Sequence, residues 1–105
     1  MNQDRKIEYS QWWLTCIGRT IIWARLRVFE SGVAEVFDCD GQTLVYESED
    51  TARAALMDAE FRSLDGLDHD DAALLGVELE QLQAPQAQSD QNLVAQMIRT
   101  LAEPT

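Results

Sequence analysis

The chain has 105 residues, 46% of them hydrophobic, and 19 acidic against eight basic side chains give it a net charge of −11. That length fits one domain with a modest core, and a field of that sign repels nucleic acid and anionic membrane while attracting basic partners. No apolar run approaches the roughly 18 residues of a transmembrane helix, and the opening MNQDRKIEYSQWW has neither the apolar run nor the small-residue cleavage site of a signal peptide. A cytoplasmic protein is therefore expected.

Ile7 to Ile17 is rich in β-branched and aromatic residues and reads as a first strand. Gly18-Arg19 turns it back into a second, which sets Trp13 over Ala24. Ser31-Gly32 and Asp40-Gly41 then read as two tight hairpin turns, because Gly after a small polar residue accepts the positive φ such turns require. On two-residue turns Leu26 faces Phe37 and Phe37 faces Leu44, so Ala24, Leu26, Val28, Val33, Phe37, Leu44 and Tyr46 share one face. The other face carries Trp23, Arg25, Arg27, Phe29, Val36, Asp38 and Val45, with Arg25 opposite Asp38. Trp12, Leu14, Cys16 and Ile21 join that second face, so the hairpin is apolar on both sides and something must cover the second one. The expected fold is α+β, with a four-stranded antiparallel meander over about 7–17, 20–30, 33–39 and 42–48.

A helix follows over about 50–64, with acids at its start, where the macrodipole favours them. Its apolar stripe, Ala54, Met57, Phe61 and Leu64 with Leu56 beside it, is expected to cover the first face. Asp68 is a good N-cap for a short helix over about 69–75, and Gly76 a good C′ residue. Residues 84–91 (APQAQSDQ) are polar and of low complexity. Leu93, Val94, Met97, Ile98 and Leu101 then predict an amphipathic C-terminal helix over about 90–102, too short to stand alone in water. The expected organisation is a single α+β domain over 1–83, a linker over 84–91 and a helical segment over 92–105 that docks on the domain or on a partner.

Chemistry-bearing constellations are few. Asp38-x-Asp40-Gly41 with Glu47 matches part of a calcium-loop pattern, but Val36 occupies the first ligand position, and a hairpin turn explains the same residues. Asp65, Asp68, His69, Asp70 and Asp71 are the densest acidic cluster, suited to helix capping or to a hard divalent cation. Cys16 and Cys39 lie on opposite faces in the expected register, so no bridge is expected between them. With one histidine, and no GxSxG, P-loop or GxGxxG, no enzymatic activity and no cofactor are expected.

Charge is strongly segregated. Residues 1–29 carry a net +3, residues 30–90 a net −14, and residues 91–105 balance at zero. The expected function is a small acidic protein-interaction module that meets a basic surface on a protein partner, in its sharpest form an inhibitor or immunity-type protein. Asp65, Asp68, Asp70, Asp71, Glu78 and Glu80 form the expected partner-binding surface. The alternatives are a structural homodimer using the sheet face of Trp12, Leu14, Ile21 and Trp23, and a divalent-metal-binding domain using the Asp65–Asp71 cluster. Neither direct nucleic-acid binding nor membrane association is expected.

Overall fold

The computed structural model describes residues 6–101; residues 1–5 and 102–105 of the expected domain and C-terminal segment lie outside the described residues. Strands β1 (Ile7–Ile17) and β2 (Thr20–Phe29) make a long hairpin, extended by β3 (Ala34–Phe37) and β4 (Thr43–Tyr46). Then follow α1 (Glu49–Asp58), β5 (Arg62–Ser63), α2 (His69–Leu75), a 3-10 turn (Leu79–Gln81), α3 (Asp90–Val94) and β6 (Ile98–Thr100). Strand order is β4-β3-β2-β1-β5, all antiparallel, with β6 also pairing β2. The fold is α+β on an antiparallel sheet, as expected, but the sheet is larger than a four-stranded meander.

The β1–β2 register is the expected one, Trp13 opposite Ala24. The next two registers each differ from expectation by one residue: Leu26 pairs Val36, and Val36 pairs Leu44. The cause is the turn. Phe29 N–H donates to the Val33 carbonyl and Asp38 N–H to the Gln42 carbonyl, so each loop holds three residues, 30–32 and 39–41, instead of two. Gly32 and Gly41 take the left-handed position that closes such a loop, at φ 96° and 83°. The Asp38 carboxylate accepts from the Asp40 and Gln42 amides at 2.9 and 3.1 Å, which favours the type I geometry. One slip turns β3 over; the second turns β4 back. Val36 therefore joins Trp13, Ala24, Leu26 and Val28 on the first face, and Phe37 moves to the second with Trp23 and Leu14. Arg25 lies opposite Phe37 and not Asp38. Cys16 and Cys39 both pack against the second-face core, on the same side and not on opposite sides; both are free thiols.

Helix α1 is shorter than expected. Ser48 caps it by accepting from the Thr51 amide, and it ends at Asp58. Phe61 N–H bonds the Leu56 carbonyl and Glu60 N–H the Met57 carbonyl, the paired bonds of a Schellman stop. Glu60 occupies the left-handed C′ position at φ 67°. With the stop at Asp58, Ala52 and Leu56 are the residues turned inward, while Ala54 and Met57 of the expected stripe are exposed. Helix α2 spans its expected residues and ends on Gly76.

The amphipathic helix expected over 90–102 is not formed. Helix α3 stops at Val94 and the chain turns into β6, with Ile98 opposite Ile22 and Thr100 opposite Thr20. The same apolar spacing satisfies this arrangement, because Met97 and Leu101 are buried at the two ends of β6 while Ile98 between them is exposed. The Trp23 amide donates to the Met97 carbonyl at 2.8 Å. Residues 84–91 lie against the body of the fold: Pro85 is buried, and Gln86 exchanges two hydrogen bonds with the Gln96 side chain. Leu93, Met97 and Leu101 share one core with Leu14, Ile21 and Trp23. Among the described residues no helix is long and apolar enough to cross a membrane.

Two substitutions test this arrangement. Glu60→Gly is expected to raise stability by about 0.5–1 kcal/mol, since Gly carries no Cβ penalty at positive φ, read as a higher denaturation midpoint. Met97→Ala is expected to cost about 2–4 kcal/mol, whereas Ile98→Ala costs under about 1; equal losses at both positions would mean that the segment docks as a helix.

Candidate protein-binding surface

The expected acidic surface is exposed, but several of its carboxylates already hold the fold. Asp68 accepts from the Asp71 amide at 2.8 Å, and Asp71 accepts from the Asp68 amide at 3.3 Å, a reciprocal capping box at the start of α2. Asp71 also lies 3.9 Å from the Arg62 guanidinium. Glu80 on the 3-10 turn is 3.0 Å from the His69 ring and ties that turn to α2; this hydrogen bond holds the Glu80 carboxyl below the usual range. Asp70 on α2 and Glu78 at the N-cap of the 3-10 turn are exposed. Asp65 stands apart, because it accepts from Gln11 at 3.1 Å, and Gln11 in turn accepts from the Trp13 indole at 3.0 Å on the first face. Five of the six predicted residues thus lie on α2 and the 3-10 turn or at their N-caps, and the sixth is tied to β1.

No group of three or more His, Cys, Asp or Glu side chains among the described residues is arranged to hold a metal ion. Asp68 and Asp71 each spend one carboxylate oxygen on the cap of α2. The Asp38–Asp40 segment is likewise spent on its own turn.

The sheet face of Trp12, Leu14, Ile21 and Trp23 is roofed by the chain itself. Ala72, Val77, Leu82, Leu93, Met97 and Leu101 fill it, leaving Leu14, Ile21 and Trp23 at or below 1% exposure. Trp12 meets Trp23 edge to face, with ring centroids 6.0 Å apart. Beyond the tryptophans the buried Arg25 guanidinium lies 4.8 Å over the Phe37 ring and 3.2 Å from the Asp90 carboxylate at the start of α3. A second copy could reach this face only by displacing those covering segments.

The first face is covered mainly by α1. At one end Tyr9 donates to Glu49 at 2.5 Å, while Arg53 reaches Glu49 at 2.9 Å and the Tyr9 oxygen at 3.1 Å. Arg53 also lies over the Trp13 ring at 5.6 Å. This latch fixes α1 to β1. The Tyr9 and Arg53 hydrogen bonds hold the Glu49 carboxyl low, and burial pushes the Tyr9 hydroxyl up. At the other end a groove of about 170 Å³ opens between α1 and β3–β4, lined by Ala24, Val36, Leu44, Leu56 and Phe61, with Asp38 and Tyr46 at its sides.

That groove runs beside β4, an edge strand of the sheet. Sequence reasoning placed Leu44 and Tyr46 on this face but missed the groove, because it ran α1 on to Leu64 and so over-covered the sheet. The legible signal was the terminal place of β4 in the meander, which leaves one edge unpaired. Comparisons with protein-family models, with curated proteins and with solved structures find no match for this chain.

The latch generates a pH prediction. A depressed Glu49 carboxyl contributes stability that is fully present above the ordinary glutamate value and is lost as pH falls through the lower folded one. The stability gap between the parent and Glu49→Gln is therefore expected to be constant near neutrality and to close between about pH 5 and pH 3, measured by denaturation at each pH. A gap independent of pH would remove the latch as its source.

Proposed function

We propose that the protein is a small protein-interaction module whose acidic surface binds a basic surface of a protein partner. The observation that supports this reading most directly is the disposition of charge. Residues 30–90 carry sixteen acidic and two basic side chains, and both basic ones, Arg53 and Arg62, are engaged with carboxylates, Glu49 and Asp71. Arg25, from the positive N-terminal third, is buried. The acids on α2 and the 3-10 turn thus face solvent with no free cation of their own block among them. Such a surface attracts a basic partner over a Debye length, about 10 Å at 0.1 M salt, and speeds encounter more than it deepens affinity.

Asp70, Glu78 and Glu80, with the outer edges of Asp68 and Asp71, form the centre of this surface, and Asp65 belongs to its margin. In its sharpest form the module is an inhibitor, placing carboxylates where a nucleic-acid-binding protein would receive phosphates.

The test is a pull-down from host lysate washed at about 50 mM and about 500 mM salt, a range that brackets strong screening. A basic protein retained in the first wash and lost in the second is expected. The triple variant Asp70→Asn/Glu78→Gln/Glu80→Gln should lose that protein while its melting temperature stays close to the parent's, since the Glu80–His69 pair is exposed and a glutamine can keep a hydrogen bond to the ring. Undiminished retention by the triple variant would move the binding surface elsewhere.

A further inference from the structure

The outer edge of β4 and the groove beside it form a second site, of a different kind. Asp38 and Gln42 are a hydrogen-bonded pair, and the β3–β4 register continues through Val36–Leu44 and Ala34–Tyr46. Antiparallel ladders alternate, so Leu44 and Tyr46 spend their backbone groups on β3, while the N–H and C=O of Thr43 and Val45 point away from the sheet. Thr43, Leu44 and Val45 are all exposed, Val45 at 66%. Edge strands are commonly guarded by a lysine, a proline or a covering segment. The run Gln42–Glu47 has neither residue, β4 pairs with β3 alone among the described strands, and α3 approaches only its Thr43 end, across a cleft lined by Thr43, Asp90, Gln91 and Val94. Leu44, also exposed, borders the apolar groove under α1.

Charge selects the occupant. Residues 30–60, which build β3, β4 and α1, hold nine carboxylates and a single guanidinium, a net of −8, and that guanidinium, Arg53, is taken by the latch to Tyr9 and Glu49. Glu60 stands in the chain between the groove-lining residues Ala59 and Phe61, and Asp38 lines the groove itself. A second copy of this chain would bring an equal negative charge against the same edge, which repulsion disfavours. An extended segment with alternating apolar and basic side chains meets every feature. Its backbone pairs with Thr43 and Val45, its apolar side chains enter the groove, and its cations, on the opposite face, meet the cleft beside Thr43 that Asp40 and Asp90 line.

We propose that β4 is a strand-addition site for an extended basic segment of a protein partner. The proposal rests on the reading of the protein as a binder of basic partners, and it uses residues other than those of α2.

The probe is a capped heptapeptide of alternating valine and lysine, titrated into the full chain at about 50 mM salt and followed by amide NMR. Slowed hydrogen exchange at the Thr43 and Val45 amides is expected, with no binding by the peptide carrying glutamate in place of lysine. Val45→Pro removes an outward N–H that no β3 group uses and is expected to weaken binding by about tenfold or more. Leu44→Glu, at an exposed side chain, should weaken it without touching the backbone edge. Peptide shifts confined to α2 and unaffected by Val45→Pro would overturn the strand site while leaving the acidic-surface reading intact. No peptide binding by a chain that still captures its partner from lysate would overturn it in the same way. Concentration-dependent protection of Thr43 and Val45 without peptide would assign the edge to a second copy and overturn it too.

Discussion

The structure depends on one constraint: the β1–β2 hairpin is apolar on both faces and must be covered twice by a chain of this length. The first face is met cheaply, by Ala52 and Leu56 of a ten-residue helix and by Phe61 after it. The second takes nearly everything from Leu64 to Leu101. Each large side chain withdrawn there, Trp23 and Met97 among them, contributes about 1.5–3 kcal/mol over leaving it in water. Neither cover is complete: the first face keeps a groove under α1, and the second a cleft between Phe37 and Thr43 of the sheet and Asp90, Gln91 and Val94 of α3.

Strand β2 carries the other half of the constraint. One of its edges is occupied by β1 along its length, and the other is shared end to end by β3 at Arg25–Val28 and β6 at Thr20–Ile22. With both edges and both faces taken, an arginine in the middle of β2 has little room for water. Arg25 resolves this with the Phe37 ring and the Asp90 carboxylate, although its Nε, like that of Arg27, has no hydrogen-bond partner among the described residues. Burying Arg25 leaves one cation fewer at the surface to face the exposed acids.

The parts of the fold that were legible in the sequence are those fixed by a short connection. Gly18-Arg19 joins β1 to β2 by two residues, and that register followed from it. Ser31-Gly32 and Asp40-Gly41 are equally strong turn signals, but glycine serves as second residue of a two-residue loop or as last residue of a three-residue one. The dipeptide does not distinguish them, and one residue decides which face Phe37 and Val36 occupy. The caps Asp68 and Gly76 located α2 because capping is local chemistry. Glu60 hid the end of α1, since a non-glycine residue at positive φ gives no sequence signal. The 93–101 spacing was ambiguous because burial of Met97 and Leu101 satisfies a docked helix and a bracketed strand alike. Of the acidic surface, the exposure of Asp70, Glu78 and Glu80 was legible, whereas the ties of Asp65 to Gln11 and of Glu80 to His69 join residues 54 and 11 positions apart.

The pairing of Thr20 with Thr100 spans 80 residues, and it sets an order of events in the living cell. As the chain emerges during synthesis, the hairpin is complete long before β6 exists. At roughly 5–20 residues per second, the Thr20–Ile22 edge stays unpaired for about 4–16 s. During that interval the nascent protein presents an apolar sheet with a free border, the form most prone to join a neighbouring chain. The negative charge of residues 30–90, translated in the meantime, keeps such neighbours apart until the last strand arrives.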